Sequence, residues 1–125
     1  IFDNLLLASP DYKYKHLELF FKKYDFSWFF QRFPQGLLTN IGEDGRQLSG
    51  GERFIIAFIR ALLTKPSALI IDEGLSSLDV DSRKFINNIL DDYIREHILI
   101  IIAHHEDLII KNSIKYFLGA PNEKQ

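Results

Sequence analysis

The chain has 125 residues, 46% of them hydrophobic, with a formal net charge of −2 and neither Cys nor Met. This is the length and apolar content of one modest domain with its own core, and a pI near 6.1 excludes a strongly basic nucleic-acid footprint. The absence of Cys excludes a disulfide framework and fits a reducing compartment. Because Ile1 opens a sequence without Met, the chain reads as a piece of a longer protein. Its longest apolar runs, such as Ile98 to Ala103, fall far short of the roughly 20 residues of a membrane helix, and no targeting segment is visible.

Residues 1–65 read as helices. From Asp11 to Tyr24, the residues Tyr14, Leu17, Phe20, Phe21 and Tyr24 recur at spacings of three and four, with Lys15, Glu18, Lys22 and Lys23 between them. That pattern predicts an amphipathic helix with an aromatic stripe. Asp25 to Phe33 continues with Phe26, Trp28, Phe29 and Phe30 until Pro34 and Gly36 stop it. So many aromatics could line a ligand cage, but their helical spacing points to a small core. Ser49 opens a long helix to about Leu63 whose apolar residues cover nearly every face, predicting a buried helix.

Residues 66–125 alternate between strands and helices, the order of an α/β fold. Pro66 breaks the long helix, and Ala68–Asp72 is a short apolar run of the kind found in buried parallel sheets. Val80 to Glu96 carries Phe85, Ile86, Ile89, Leu90, Tyr93 and Ile94 on one helical face. Another buried strand is predicted from His97 or Ile98 to Ala103, a short helix over Glu106 to Lys111, and a last strand over Ile114 to Leu118. Successive strands separated by helices imply right-handed parallel crossovers, and Gly119 to Gln125 reads as a polar tail.

The chemistry sits at the ends of these elements. Asp72 closes an apolar strand, where a charge is costly unless something positive meets it, and Glu73 follows, pointing away from it. Alone, the pair could equally cap the next helix. Leu48-Ser49-Gly50-Gly51-Glu52 leads straight into a helix. Ser is a good N-cap, two glycines let a ligand approach the backbone, and the free N–H groups attract an anion; an ordinary Ser-capped helix is the alternative. Asp79 is placed to cap the helix that starts at Val80. His104 and His105 suggest a metal, yet adjacent strand residues point to opposite faces, and His16 and His97 lie at no ligand spacing.

Taken together, Leu48-Ser-Gly-Gly-Glu52, a long apolar helix and Ala68-Leu-Ile-Ile-Asp72-Glu73 resemble the signature and Walker B motifs of ATP-binding cassette (ABC) ATPases. The resemblance runs from end to end of the chain. No G-x-x-x-x-G-K-S/T phosphate-binding loop occurs, so what the chain resembles is the C-terminal part of that ATPase domain, without the Walker A half. The fold so implied is a partial P-loop NTPase core, parallel strands with helices, plus the family's helical subdomain. Residues 1–65 would be the helical subdomain with its signature helix. Residues 66–125 would be the C-terminal part of the core, with Walker B, D-loop and H-loop.

The family's activity is hydrolysis of ATP with Mg²⁺. Carried over, Asp72 holds the Mg²⁺ through the nucleotide, Glu73 polarises the attacking water, and His104 is the γ-phosphate switch. Leu48, Ser49, Gly50, Gly51 and Glu52 serve the ATP of a second nucleotide-binding domain in a head-to-tail dimer, and Ser76, Ser77, Leu78 and Asp79 form the D-loop across that interface. Thr39-Asn-Ile-Gly-Glu43-Asp-Gly45 resembles the exporter loop that touches the coupling helices of the transmembrane domains, and Ile1-Phe-Asp-Asn4 the start of the exporter helical subdomain. The resemblance thus implies an exporter at the cytoplasmic face of the plasma (inner) membrane, with no nucleic-acid partner. A soluble ABC-type ATPase of DNA repair or chromosome organisation shares these motifs, and a non-enzymatic interaction module is a third reading.

The chain departs from the family at named positions. Glu52 stands where Gln is frequent. Phe54 and Ile55 replace polar or basic residues, which predicts an unusually apolar helix surface. Gly74 and Leu75 stand where Pro or Ala and then Thr are usual, and His105 where Arg is. The strand that carries the P-loop normally lies between those ending near Ala103 and Leu118. Without it their inward edges are unpaired, so the last strand is expected to sit apart or two copies to associate.

Overall fold

The computed structural model describes residues 1–7, 9–42, 45–102 and 114. Among them the order is α1 (Phe2–Leu6), α2 (Tyr14–Tyr24), α3 (Ser27–Phe30), α4 (Gly50–Leu63), β1 (Ala68–Asp72), α5 (Val80–Tyr93) and β2 (Ile98–Ile102), with 3₁₀ turns at Gly36–Leu38 and Gly74–Ser77. The fold is a partial α/β core carrying a helical half. The predicted helix at Glu106–Lys111, strand at Ile114–Leu118 and tail at Gly119–Gln125 lie outside the described residues except for Ile114.

Local chemistry sets the helix ends. The predicted start of α2 at Asp11 moves to Tyr14, because Lys13 is extended (φ −108, ψ 167) and its N–H donates to His16 Nδ1 at 2.8 Å. A side chain thus satisfies one of the donors that a helix start leaves orphaned. At the other end Asp25 turns left-handed (φ 52, ψ 45), so α3 is a separate short helix and not the continuous one predicted through Phe33. Ser27 Oγ donates to Asp25 Oδ1 at 3.0 Å, which ties the reversal down.

The aromatic stripe is core. Leu17, Phe21, Phe26, Phe29 and Phe30 are buried. Phe26 and Trp28 meet Phe85 of α5 edge-on at ring separations of 5.1 and 5.2 Å, a favoured geometry for aromatic pairs. One continuous apolar cluster therefore joins Leu5, Leu17 and Phe26 of the helical half to Leu69, Ile71, Ile86 and Leu90 of the strand half. α4 lies within it as expected, exposing Arg53 and Ala57 beyond its first residue, Gly50.

β1 and β2 pair in parallel, with Ala68 opposite Ile98, Ile70 opposite Ile100 and Asp72 opposite Ile102, joined by a crossover through α5. Tyr93 Oη donates to the Pro66 carbonyl at 2.7 Å and fastens the end of α5 to the entry of β1. Among the described residues only one face of this sheet is covered. Leu69 and Ile71 are buried, whereas Ile70 and Ile98 are each 63% exposed, Ile100 48% and Ile102 45%. The apolar runs read as strands covered on both faces, and here the structure departs from that reading.

Candidate functional site

Two turns and one helix end converge at the C-terminal edge of the sheet. The first component is the start of α4. Ser49 takes an extended backbone (φ −65, ψ 165), its Oγ accepts the N–H of Glu52 at 3.2 Å, and Glu52 Oε2 accepts the N–H of Ser49 at 2.8 Å. This reciprocal capping box gives Glu52 a local task and sets the angle at which the helix begins. Leu48, just before it, is buried and anchors the turn, while Ser49 and Gly50 stay exposed. A helix start with exposed backbone N–H groups attracts anions.

The second component is the turn after β1. Asp72 ends the strand on the uncovered face, exposed. Glu73 does not continue the alternation. It adopts a left-handed backbone (φ 56, ψ −13), unusual for a residue other than Gly, Asn or Asp. Its N–H donates to the Ile102 carbonyl at 2.9 Å, so β2 holds the point where the chain leaves the sheet. The turn closes on its own hydroxyls: Ser76 Oγ donates to the Glu73 carbonyl at 2.8 Å and Ser77 Oγ to the Gly74 carbonyl at 2.7 Å. Leu75 and Leu78 are buried beneath it, so the residue in the usual Thr place is a core residue.

Asp79 then caps α5. Its Oδ1 accepts the Ser82 N–H at 2.8 Å and its Oδ2 the Ser82 hydroxyl at 2.9 Å. The Ser82 N–H is the main reason its carboxyl is held below the usual carboxylate range; the Ser82 hydroxyl adds to this, and Arg32 contributes against a small opposing effect of burial. Arg32 lies 3.6 Å from Asp79 and stacks on Trp28 at 4.5 Å, bridging the aromatic half to this turn. Both partners of the ion pair are substantially exposed, so it contributes little by itself.

The two components touch each other. A Cβ on Gly51 would stand 2.9 Å from the Ser77 carbonyl oxygen, and one on Gly50 would be in contact with Ser77 Cβ at 3.6 Å. The glycines thus admit the Ser76–Asp79 turn against the helix start, a reason for Gly at these positions independent of any ligand. Phe54 and Ile55 are not on an apolar surface: Ile55 is buried and Phe54 is half-buried against Gly74. Of the predicted site residues, the structure seats Gly50 and Gly51 on Ser77 and Leu78 of the turn that follows Asp72 and Glu73; His104 and His105 lie outside the described residues.

A second concavity lies at the far side of α4. It is an open groove of about 770 Å³ between Ile1–Asn4, Leu37–Gly42 with Gly45, and the α4 residues Arg53, Ala57 and Arg60. Arg60 donates to Asn4 Oδ1 at 3.3 Å, and the Ile1 nitrogen to the Thr39 carbonyl at 2.8 Å. Ile1–Asn4 and the described residues of the other exporter-like stretch, Thr39–Gly42 with Gly45, therefore line one groove. Arg53, Ala57 and Arg60 were overlooked, although their spacing of four and three marks the least apolar stripe of that helix. Arg32 carried no sequence signal at all.

Comparison with known proteins gives this geometry its context. ABC transporter B family member 1 of Arabidopsis thaliana is 37% identical over 109 residues, 87% of this chain and 8% of that protein. An ATP-dependent lipid A-core flippase of Haemophilus influenzae is 45% identical over 76 residues, 61% of this chain and 13% of that protein. Among solved structures, a bacterial Atm1-family ABC exporter with ATP bound superposes with a TM-score of 0.72 at 29% identity, covering 82% of this chain and 18% of that one.

This chain is homologous to the ABC exporters.

No protein-family model matches it. It spans less than a fifth of the length of the exporters compared here. Among its described residues no helix is long and apolar enough to cross a membrane.

Proposed function

We propose that this ABC-exporter segment is the signature and Walker B side of an ATP-hydrolysing domain, with residues 1–65 as its helical subdomain and 66–125 as part of its core. In this reading two such domains meet head to tail at the cytoplasmic face of a membrane, and ATP turnover drives export. The observation that carries it is the packing of the glycine pair Gly50-Gly51 on Ser77. It joins the anion-attracting start of α4 and the turn after Asp72-Glu73 into one edge, as a site completed by a second copy requires. The relatives support it in their own terms, since one is ATP-dependent and another was solved with ATP bound.

The residues fit the chemistry. Asp72 is an exposed carboxylate at the C-terminal end of a parallel strand, an oxygen donor of the kind Mg²⁺ takes. Bound there through the nucleotide, Mg²⁺ neutralises charge on the phosphates. Glu73 accepts a proton from the water that attacks the γ-phosphorus, and its left-handed turn sets it beyond the strand's last residue. Ser49, Gly50 and Gly51 offer a hydroxyl and N–H groups to the γ-phosphate of the opposite subunit's ATP, with Leu48 and Glu52 fixing that helix start. Ser76, Ser77, Leu78 and Asp79 carry the contact between the two sites, and His104 holds the γ-phosphate. The groove of Arg53, Ala57 and Arg60 receives the coupling helix of the transmembrane domain.

Glu73→Gln in the intact protein removes the base and leaves the phosphate contacts. ATP turnover is expected to fall by a factor on the order of 10² to 10⁴, with nucleotide binding kept and a closed dimer trapped by ATP. Turnover near the parent rate in a steady-state phosphate-release assay would show that Glu73 is not the base.

A further inference from the structure

The two departures from the family pattern that stand on either side of this site, Phe54 and Gly74, are in contact. Gly74 is not required by its backbone: the described glycines with left-handed φ are Gly36, Gly42 and Gly45. It is required by space. A Cβ at Gly74 would overlap Cδ2 and Cε2 of the Phe54 ring and stand 3.3 Å from its Cγ. The ring also stacks on Phe58, with centroids 6.0 Å apart and planes 13° from parallel, and Phe58 is buried.

What the ring seats on is Gly74, the residue that follows Glu73. A left-handed glutamate is a strained conformation that persists only where its surroundings over-determine it. Hydrogen bonds restrain this turn: Ile102 O accepts the Glu73 N–H at 2.9 Å, the Glu73 carbonyl accepts the Ser76 N–H at 3.3 Å, and the Ser76 and Ser77 hydroxyls donate to the Glu73 and Gly74 carbonyls. All act through backbone polar atoms. Phe54 adds a restraint of another kind, a flat apolar wall from α4 against Gly74. α4 is also the helix whose first residues, Ser49 to Gly51, serve the opposite subunit's ATP in the proposed dimer.

We infer that Phe54 is a positioning residue: its ring, seated on Gly74, fixes the turn that presents Glu73 and ties the carboxylate's position to the signature helix. The inference rests on the assignment of Glu73 as base, and it makes Phe54 and Gly74 a matched pair in which only a glycine fits beneath the ring. Phe54 touches neither phosphate nor water in this scheme. It acts through Glu73.

The test is a double-mutant cycle in the intact protein, with kcat and KM for ATP measured for Gly74→Ala, Phe54→Leu and the pair. Gly74→Ala displaces the turn and is expected to lower kcat about tenfold to a hundredfold, the scale of a misplacement near 1 Å, with KM for ATP changed less than about twofold because phosphate contacts remain. Phe54→Leu lowers kcat more mildly. Adding it to Gly74→Ala makes room for the methyl group and returns kcat to the Phe54→Leu level. Equal losses from Gly74→Ala with and without the ring would overturn the inference. If Gly74→Ala fails to fold, Phe54→Leu decides: parental kcat overturns the proposal, and a lowered kcat at unchanged KM supports it. Glu73→Gln, run in parallel, separates the two readings. If it turns over normally the base assignment falls, whereas a dead Glu73→Gln beside an additive cycle defeats only the role of Phe54.

Discussion

α4 and the β1–β2 sheet are the two most apolar parts of the chain, and they end up in opposite situations. α4 buries Ile55, Ile56, Phe58, Ile59, Leu62 and Leu63 because neighbours surround it: α1 on one side, the Gly74–Ser77 turn on another, and the aromatic half of the core beyond. The sheet buries only Leu69 and Ile71 well, and leaves Ile70, Ile98, Ile100 and Ile102 open. Their intrinsic hydrophobicity is the same. Burial is a property of what is packed alongside, and a strand displays its two faces to two different neighbours. An exposed patch of β-branched side chains of this kind marks a surface made to be covered.

Mutations at the two places read out that difference directly. The largest effect is expected in the helix. Ile59→Ala empties a fully buried site and is expected to destabilise the chain by about 2–5 kcal/mol, the usual range for Ile to Ala in a core, as measured by urea unfolding. A loss below about 1 kcal/mol would mean that α4 is not packed as described.

Asp79 lies between the extremes, at the edge where helix and turn meet. Asp79→Ala removes an N-cap and should cost roughly 1 kcal/mol. The sign of its pH dependence follows from the carboxyl, held below its ordinary value of 3.8. The ionised cap is favoured in the folded state, so its stabilisation is complete above that ordinary value and is lost as pH falls through the lowered one. The gap in stability between parent and Asp79→Ala should be widest near neutrality and narrow in strong acid. A gap that widens on acidification would contradict the capping geometry.

The smallest effect on stability is expected on the open sheet face. Ile100→Ala should change unfolding free energy by no more than about 0.5 kcal/mol, as for surface positions generally. An Ile100→Ala cost as large as that of Ile59→Ala would show that something covers this face in solution.

Much of the molecule was legible in advance. β1 spans the residues its apolar run indicated, Ala68–Asp72, and α5 buries Ile86, Ile89 and Leu90 of the face that its spacing picked out. Asp79 caps α5 and Ser49 caps α4, as residue type and position indicated. All of these depend on interactions within about four residues, hydrogen bonds to the next turn or side chains one helical turn apart, so they are written in neighbouring letters. The break at Asp25 was missed although it too is local, because a left-handed Asp competes with a strong run of helix-compatible aromatics and only packing decides between them.

The remaining features belong to the tertiary structure alone. Glu73 leaves the strand in a left-handed turn because Ile102 of β2 takes its N–H, and β2 lies far along the chain. Phe54 and Gly74, each odd when read by itself, become complementary once α4 and the turn after β1 are pressed together. Arg32 reaches Asp79 only because Phe26 and Trp28 pack on Phe85. The sequence by itself indicated which segments are helices and strands, which face of each is apolar, and which letters resemble the signature and Walker B motifs. Which apolar faces find a partner, and which small residue lies under which large one, was decided by chain reversals that bring distant residues into contact, because steric fit is settled only between surfaces that already face each other.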